Sequence, residues 1–436
     1  MNAIVVKGSF LMTENGLEEN WGLRVEGNRI VQVGPNETLT VNEGDQVVDA
    51  KDQMILPGFV NGHNHMYNVV ARGITTDAIV TEFSSFLEDF WWPYVENRIN
   101  HEMAEITTKR SCVEMIESGI TSFVDILEAP NAIPGGLEVE RKVIEEAGLR
   151  AKLSFEACQR MSEENGQTGL KENADFIRNH KGEMVDAILS THTLFSCSEE
   201  FVKQAKAMAD EVGGLMHMHL SESVFEPTWC KEHGYKTPVE TYEDWGVLDE
   251  NTVASQVVQA SDMELDILAK HGVKVVHMPL SNCEVGGGVA PVRKMLERGI
   301  TVGLGTDGFN NSFFEVMRGA WMIHKAYEQD PQVMPADVVF KMATSMGAKA
   351  VGFDEVGSLE VGKLADVIVV DADTSTPINK HNVYDQIVLY RNPCDVKHVM
   401  CDGKWLKWEG KLTTLDKDAV RKECSEKTGK FWKVNG

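Results

Sequence analysis

The sequence of 436 residues lacks any apolar run approaching the ~18 residues that span a membrane. It also lacks clusters of lysine or arginine, and its 42 basic residues are outnumbered by 67 acidic ones, so the formal charge is −25. Nucleic acids and anionic membranes attract proteins through basic surfaces that displace counterions. We therefore expect neither a nucleic acid nor a membrane as a partner.

Paired cysteine motifs are absent too. The eight cysteines are scattered without a CxxC pair, and the opening MNAIVVKGSFLMTENG has neither the basic start nor the apolar core of a signal peptide. Structural disulfides belong mainly to oxidising compartments. We expect a cytoplasmic protein whose cysteines stay reduced, most of them as small buried hydrophobic residues.

The length and the character of the two chain ends predict two units. A (β/α)8 barrel takes about 250 residues, so this chain has room for a barrel and something smaller. Both ends carry short runs rich in Val and Ile, separated by Gly-Asn and Asp-Gly turns. Because neither end could bury a core alone, we predict that 1–55 and 362–436 form one composite β-sandwich domain, with a barrel domain over 56–361.

The middle of the chain alternates apolar runs with amphipathic helical stretches such as HEMAEITTKRSCVEMIES and EEFVKQAKAMADEVG. The apolar runs number eight: MILPGFV, TSFVDI, AKLSFEA, VDAILSTH, GLMHMHLS, TVASQVV, VKVVHMP and TVGLGTD. Strand–helix alternation favours a parallel sheet, and eight repeats favour closure. The prediction is an α/β protein with a (β/α)8 TIM barrel, in which chemistry sits at the carboxyl ends of the strands.

Histidines follow two of these strands. His63 and His65 end the first strand, and side chains two apart in a strand point the same way. His219 ends the fifth strand, with Glu222 three residues later. Imidazole binds zinc and related ions, and a carboxylate near activated water suits acid–base hydrolysis. His217 has the parity of His219 but lies deeper, so we interpret it as a core or supporting residue.

Asp307 ends the eighth strand and can complete a metal site. The spacing Gly303-x-Gly305-x-x-Gly308 around it also matches a dinucleotide-binding fingerprint. We reject that interpretation because these glycines lie in and just after the last strand, without an initial βαβ unit. The run Gly286–Gly288 lacks the lysine and helix of a phosphate loop, and we assign it to close backbone packing.

Together, PGFVNGHNHMY, HMHLSES, VVHMPLSN, GTDG and GSLEVGKLADVIVVD resemble the amidohydrolase superfamily over nearly the whole chain. The most similar branch contains S-adenosylhomocysteine/methylthioadenosine deaminases, guanine-type deaminases and triazine hydrolases (chlorohydrolase-like). The resemblance implies one divalent metal, zinc by preference and iron as the alternative. Some other branches bridge two metals with a carboxylated lysine on the fourth strand, and DAILSTH here offers no lysine.

The resemblance also assigns residues. It implies that the metal ligands are His63, His65, His219 and Asp307. It makes Glu222 the proton shuttle, and it implies that His192 and His277 lie near the substrate.

The chain departs from the family pattern after the sixth strand. Family members typically carry a histidine there, whereas Gln256 stands at that position here, or Ser255 after a slip of one residue. Glutamine forms hydrogen bonds but does not act as an acid or base near neutral pH. Three outcomes follow: Gln256 positions a substrate, or Glu222 and Asp307 manage alone, or catalysis is lost.

The expected function is hydrolytic deamination of an amino-substituted N-heterocycle of purine, pterin, nucleoside or triazine type. One alternative is hydrolysis of another C–N, cyclic amide or C–halogen bond, and a second is a catalytically impaired ligand-binding homologue. Arg72 is assigned to a polar substrate group or to a structural ion pair. Trp92, in an aromatic loop after the first strand, is assigned to covering the ring or to packing. We expect a homodimer or a larger homo-oligomer.

Overall fold

The computed structural model describes residues 2–433, which form two β-sheets and the helices around them. The strands are β1 (Ile4–Thr13), β2 (Gly16–Glu19), β3 (Trp21–Glu26), β4 (Arg29–Pro35), β5 (Gln46–Pro57), β6 (Phe59–Asn64), β7 (Ile120–Leu127), β8 (Arg150–Ala157), β9 (Val185–Ala187), β10 (Leu189–Thr191), β11 (Met216–Leu220), β12 (Thr252–Gln256), β13 (Lys274–His277), β14 (Val302–Leu304), β15 (Val367–Asp371), β16 (Val396–Cys401), β17 (Lys404–Trp408) and β18 (Lys411–Leu412). The helices are α1 (Phe83–Ser85), α2 (Trp92–Tyr94), α3 (His101–Ser118), α4 (Gly136–Ala147), α5 (Glu163–His180), α6 (Glu199–Val212), α7 (Phe225–Glu232), α8 (Pro238–Trp245), α9 (Asp262–His271), α10 (Pro279–Glu284), α11 (Val292–Glu297), α12 (Phe313–Glu328), α13 (Ala336–Met342), α14 (Ser345–Ala350), α15 (Val383–Tyr390) and α16 (Lys417–Lys433).

The middle of the chain forms a barrel of parallel strands in the order β6-β7-β8-β10-β11-β12-β13-β14, with β9 beside β8. The barrel closes between its last and first strands. The backbone N–H groups of Thr306 and Asp307, just after β14, donate to the carbonyl of His63 in β6 at 3.0 and 3.1 Å. Seven of the eight apolar runs of the sequence contribute their strands to this sheet alone, and the first, MILPGFV, passes from β5 of the other sheet into β6. The prediction of a (β/α)8 barrel is confirmed.

The glycines near the last strand allow this closure. A side chain at Gly305 would meet the His63 carbonyl at 2.8 Å, and one at Gly303 would meet the Gly347 Cα at 3.0 Å. The spacing that imitates a dinucleotide fingerprint therefore serves strand and helix packing in the barrel.

The helices begin and end where the sequence pattern indicates. Ser198 caps α6 by accepting from Phe201 N, and Ser261 forms a reciprocal capping box with Glu264 at the start of α9. The long helices α3, α6 and α9 coincide with three of the amphipathic stretches in the sequence. They cover the barrel with their apolar faces.

The two ends of the chain share the second sheet, in the order β18-β17-β16-β15-β5-β1-β3-β4, with β2 on β1. Most neighbours are antiparallel, but β1 and β5 are parallel. This sheet has its own core, which includes Val6, Leu23, Val367 and Met400. The small β domain from both termini is confirmed. The boundaries at 55/56 and 361/362 stay a prediction.

Helices from the C-terminal segment also reach the barrel. α16 packs on α3, and α15 packs on α12 and α13. Within residues 2–433, we find no helix with the length and apolar content needed to cross a membrane.

Candidate active site

Three histidines converge at the carboxyl ends of β6 and β11. Each of His63, His65 and His219 offers one ring nitrogen, and these three atoms lie within 4.8 Å of one another. The Nε2 atoms of His63 and His65 are 3.0 Å apart. All three side chains are buried, so these polar atoms face each other away from bulk water.

Neighbouring groups orient two of the rings. His65 Nδ1 donates to the Ile126 carbonyl at 2.7 Å, which leaves Nε2 with the free lone pair. His63 Nδ1 lies 3.1 Å from His217 Nε2, and His217 Nδ1 lies 2.9 Å from Ser190 Oγ. His217 thus supports His63, as the deeper position of His217 on the strand predicts. Partners of this kind fix the ring orientation of metal-binding histidines.

The electrostatics suit neutral imidazoles. Burial, reinforced by the neighbouring histidines, lowers the pKa of His63 well below its usual value. Burial lowers the pKa of His219 to about 4, against the attraction of Glu128. The pKa of His65 is raised in spite of burial, because Glu128 and Asp307 lie close. The neutral rings of His63 and His219 each offer a nitrogen without a proton, and these face the ring of His65 beside the carboxylates. This donor set fits a divalent cation.

Asp307 lies at the edge of this group. Its Oδ1 is 3.7 Å from His65 Nε2 and accepts from the Gly308 backbone N–H at 2.5 Å. Its Oδ2 accepts from Gln256 Nε2 at 2.9 Å. Gln256, which departs from the family pattern, therefore contacts the carboxylate of Asp307 directly.

Left-handed backbone marks this end of the barrel. The φ angles are 52° at Ser221, 63° at Gln256, 49° at Val257 and 54° at Asp307. Residues with side chains rarely adopt this region, and a β-branched residue such as Val257 does so at a cost of about 1–3 kcal/mol. Such strain clusters at functional sites because it aims side chains in fixed directions.

Glu222 lies in the loop between β11 and α7 and lines one cavity together with His65, His219 and Asp307. Burial, with the nearby charges of Asp307 and Glu128, raises the pKa of Glu222 well above its usual value. Gly287 lets the loop after α10 approach, since a side chain there would meet the Glu222 carbonyl at 2.5 Å. Of the glycine run, Gly287 therefore packs closely against the backbone of Glu222.

Two further carboxylates lie beside His219, Glu128 in the cavity wall and Glu156 buried next to it. His219 Nδ1 is 2.6 Å from Glu156 Oε1, and Glu128 Oε2 accepts from Tyr67 OH at 2.5 Å. Burial, together with Glu128, raises the pKa of Glu156 well above its usual value. The pKa of Glu128 is lowered despite burial, by His65 and by a hydrogen bond from Glu156. The two neighbouring carboxyl groups thus have pKa values shifted in opposite directions.

A second layer joins the aromatic loop to the barrel. Arg160 pairs with Glu96, and its guanidinium lies 5.0 Å from the Trp92 ring centroid. The Trp92 ring is 6.3 Å from the ring of His192. Burial lowers the pKa of His192 to about 3, so this ring is neutral.

Several of these side chains line one cavity of about 300 Å³, within the size range of small-molecule sites. Its polar lining includes His65, His192, His219, Glu128, Glu222, Gln256 and Asp307. Its other wall is aromatic and apolar: Ile74, Phe83, Phe86, Leu87, Phe90 and Trp91. A flat or apolar ligand can therefore lie between rings while its polar edge faces the histidines.

The structure brings most of the predicted site residues together on this cavity. His65, His192, His219, Glu222, Gln256, Asp307 and Arg72 line it, and His63 lies directly behind His65. The Arg72 guanidinium also pairs with Glu114 at 2.6 Å, which is the structural ion pair suggested for it, and its contact with a substrate stays a prediction. Their roles in metal binding and catalysis stay predictions.

Two predicted substrate contacts lie elsewhere. Trp92 packs between Arg160 and His192, whereas the adjacent Trp91 lines the cavity. His277 is buried, with its Nε2 3.0 Å from His324 Nε2 on α12. Substrate binding by these two residues stays a prediction.

Glu128, Glu156 and Tyr67 were not predicted as site residues from the sequence. A signal was present for the two carboxylates, because Glu128 directly follows β7 and Glu156 is the penultimate residue of β8. Both therefore lie at the carboxyl edge of the barrel, where chemistry is expected. Tyr67 follows the HNH motif by two residues and carried no comparable signal.

Known proteins resemble this chain over nearly its full length. It is 34% identical over 425 residues to 5'-deoxyadenosine deaminase of Methanothermobacter thermautotrophicus, covering 96% of each chain. It is 32% identical over 410 residues to 5-methylthioadenosine/S-adenosylhomocysteine deaminase of Carboxydothermus hydrogenoformans, covering 92% of each.

The fold is also that of solved structures. The zinc-bound adenosine deaminase of Xanthomonas campestris superposes with a TM-score of 0.90 at 22% identity, covering 99% of this chain and 98% of that one. The zinc complex of atrazine chlorohydrolase from Arthrobacter aurescens gives 0.86 at 20% identity, covering 98% and 100%. The model of the amidohydrolase family matches residues 54–406, which include the whole barrel and part of the terminal sheet. The chain belongs to the amidohydrolase family.

Proposed function

We propose that the protein is a metal-dependent hydrolytic deaminase that removes the amino group of an adenine-type nucleoside. The observation that carries this proposal is the convergence of three imidazoles, Asp307 and Glu222 on one cavity with an aromatic wall. The similarity to deaminases of 5'-deoxyadenosine and related nucleosides supports it. These relatives share the hydrolysis of C–N bonds other than peptide bonds.

The residues present fit a divalent metal ion. His63, His65 and His219 would hold it with their facing ring nitrogens, and Asp307 would complete the set. When bound, such an ion acts as a Lewis acid that lowers the pKa of water to about 7. Zinc is our choice and iron the alternative, because imidazole and carboxylate ligands suit both.

The chain's own residues supply the proton transfers. Asp307 and Glu222 receive the two protons of the attacking water, whose oxygen bonds to the ring carbon that carries the amino group. The C–N bond then breaks, and Glu222 gives a proton to the departing amine, which leaves as ammonia. The carbon keeps the oxygen as a carbonyl, and the second proton of water ends on the adjacent ring nitrogen.

The cavity favours an uncharged nucleoside. Its lining contains the carboxylates of Glu128, Glu222, Glu284 and Asp307, against the single guanidinium of Arg72, which is already paired with Glu114. The aromatic wall can stack on the base or hold an apolar 5' substituent. Both features disfavour phosphorylated substrates.

The test is ammonia release by the zinc-loaded and the iron-loaded protein. The substrates are adenosine, 5'-deoxyadenosine, 5'-methylthioadenosine and S-adenosylhomocysteine. We expect turnover of at least one nucleoside, lost on metal removal and restored by metal addition. Glu222→Gln is expected to lower kcat by about 10²–10⁴-fold, the usual contribution of a general acid–base group.

Control assays separate the alternatives. Chloride release from chlorotriazines would favour a C–halogen hydrolase, and ring opening of hydantoins would favour a cyclic amidase. Metal-loaded protein that turns over none of these compounds would favour the impaired homologue.

We also propose a cytoplasmic location and a homo-oligomer. All eight cysteines are free thiols, which suits a reducing compartment. Sedimentation analysis tests the assembly, and fractionation of cells tests the location.

A further inference from the structure

Gln256 is the residue in the cavity whose role the proposed reaction leaves open. It is fully buried and lines the cavity at the end of β12. Its side chain has two polar groups with opposite properties, since the amide nitrogen only donates and the carbonyl oxygen only accepts. What each group contacts therefore determines what it can do for a ligand.

The nitrogen is already committed. Gln256 Nε2 donates to Asp307 Oδ2 at 2.9 Å, and a carboxylate in this position can only accept. The amide orientation follows from this contact, because the reverse orientation would set two acceptors against each other. Gln256 therefore holds Asp307 from the side opposite to Gly308, whose backbone N–H holds the other carboxylate oxygen.

The oxygen has no such partner. Among residues 2–433, no donor pairs with the buried Gln256 Oε1. A buried acceptor without a partner costs about 1–3 kcal/mol, so it favours any ligand that brings a donor to it.

The backbone keeps the side chain in this place. Gln256 and Val257 both adopt left-handed conformations, with φ of 63° and 49°. The Val257 and Val258 N–H groups donate to the carbonyls of Leu220 and Ser221 at 2.9 and 3.0 Å. These bonds tie the strained turn to β11, so Gln256 cannot readily swing away from the cavity.

We propose that Gln256 is a specificity-determining residue that favours substrates with an amino group, and therefore an N–H donor, on the reacting carbon. Its Oε1 accepts a hydrogen bond from the amino group of the ring, while its Nε2 holds Asp307. This inference rests on the proposed function, since it assigns to Gln256 the discrimination between an amino group and other substituents on the reacting carbon. A chloro or methoxy substituent offers no hydrogen to this oxygen and leaves it unpaired.

The two contacts of Gln256 make separable contributions. Loss of the contact with Asp307 disturbs the site for every substrate. Loss of the acceptor harms only the substrate that carries an N–H group. The ratio of kcat/KM for amino over chloro or methoxy substrates therefore reports the acceptor alone, whatever happens to the overall rate.

The experiment compares 5'-deoxyadenosine with its 6-chloro and 6-methoxy analogues on the metal-loaded protein. Gln256→Met keeps the length of the side chain without an acceptor oxygen, and we expect the amino preference to fall about 10-fold. Gln256→Glu retains an acceptor oxygen and is expected to keep the preference even where its rates fall. Gln386→Met, a buried glutamine outside the cavity, is expected to change neither quantity.

Binding gives a readout that does not depend on turnover. In a Glu222→Gln background, calorimetry measures the dissociation constants of 5'-deoxyadenosine and its 6-methoxy analogue. Adding Gln256→Met is expected to weaken the amino ligand about 10-fold and the methoxy ligand much less.

The outcomes are distinguishable. An amino preference in Gln256→Met within twofold of wild type, in both assays, would overturn this inference while leaving deamination intact. Wild-type protein that releases no ammonia from any amino nucleoside would overturn the proposed function and this inference together. A loss of preference in Gln256→Met that Gln256→Glu does not share supports the acceptor role.

Discussion

Replacing Gly305 with alanine should damage both the barrel and the site. An added Cβ would lie 2.8 Å from the His63 carbonyl oxygen and 3.0 Å from both His63 Cβ and Val276 Cγ1. Gly305 N–H also donates to the His277 carbonyl at 3.0 Å, so its backbone is held in the sheet. None of the obstructing atoms is the free end of a flexible side chain, so the strand itself must move.

The size of the effect follows from these distances. Ordinary contact begins at 3.4 Å, so relief of the overlap requires a shift of about 0.6 Å. Overpacking of this kind costs about 1–3 kcal/mol in unfolding free energy. Asp307 lies two residues further on, and a misplacement near 1 Å can cost about 10²-fold in rate. We therefore expect kcat/KM to fall about 10–100-fold.

Two assays and one control check this reasoning. The rate of ammonia release gives kcat/KM. The midpoint of unfolding in guanidinium chloride gives the change in stability. The matched control is Gly429→Ala in α16, where an added Cβ has nothing within 4 Å. That variant should keep full activity and gain about 0.8–1.0 kcal/mol from helix propensity. If Gly305→Ala retained activity within threefold and an unchanged midpoint, the account of barrel closure would be wrong.

Three further predictions concern metal, charge and acid. His217→Phe removes the contact with His63 and should weaken metal binding about 10–100-fold in a chelator competition assay; unchanged affinity would contradict the supporting role. Adenosine 5'-monophosphate should show a kcat/KM at least about 100-fold below that of adenosine, because like charges meet in the acidic cavity; comparable values would contradict this. The pKa of Asp45 is lowered from 3.8 to about 2 by the guanidinium of Arg24 and the Asn42 backbone N–H. This depressed pKa contributes stability that is present above pH 4 and lost as the pH falls towards 2. Asp45→Asn should therefore flatten the fall of the unfolding midpoint between pH 4 and 2, and an equally steep fall would refute the assignment.

The repeating pattern of the chain was enough to predict the barrel. Strand and helix periodicity depends on residues within a few positions of each other, so eight apolar runs and their amphipathic partners could be found without coordinates. The parity of His63 and His65 likewise follows from the strand alone. The small terminal domain was predictable because each end had strands without enough apolar surface for a core.

Contacts between distant segments were not predictable in this way. Trp91 and Trp92 are adjacent in sequence, yet the Trp91 ring lines the cavity whereas the Trp92 ring lies beside His192. Glu128 follows β7 and Glu156 lies in β8, and their closeness to each other and to His219 depends on the spacing of the assembled barrel.

The sequence by itself determined which side chains stand at the carboxyl ends of the barrel strands, because a period of two residues sets their direction. Only the tertiary structure decided what they touch. Gln256 and Asp307 are 51 residues apart, and their hydrogen bond depends on the closure of β14 against β6 and on strained turns at both residues. Register and closure are global properties of the sheet, so no local pattern in the chain encodes that contact.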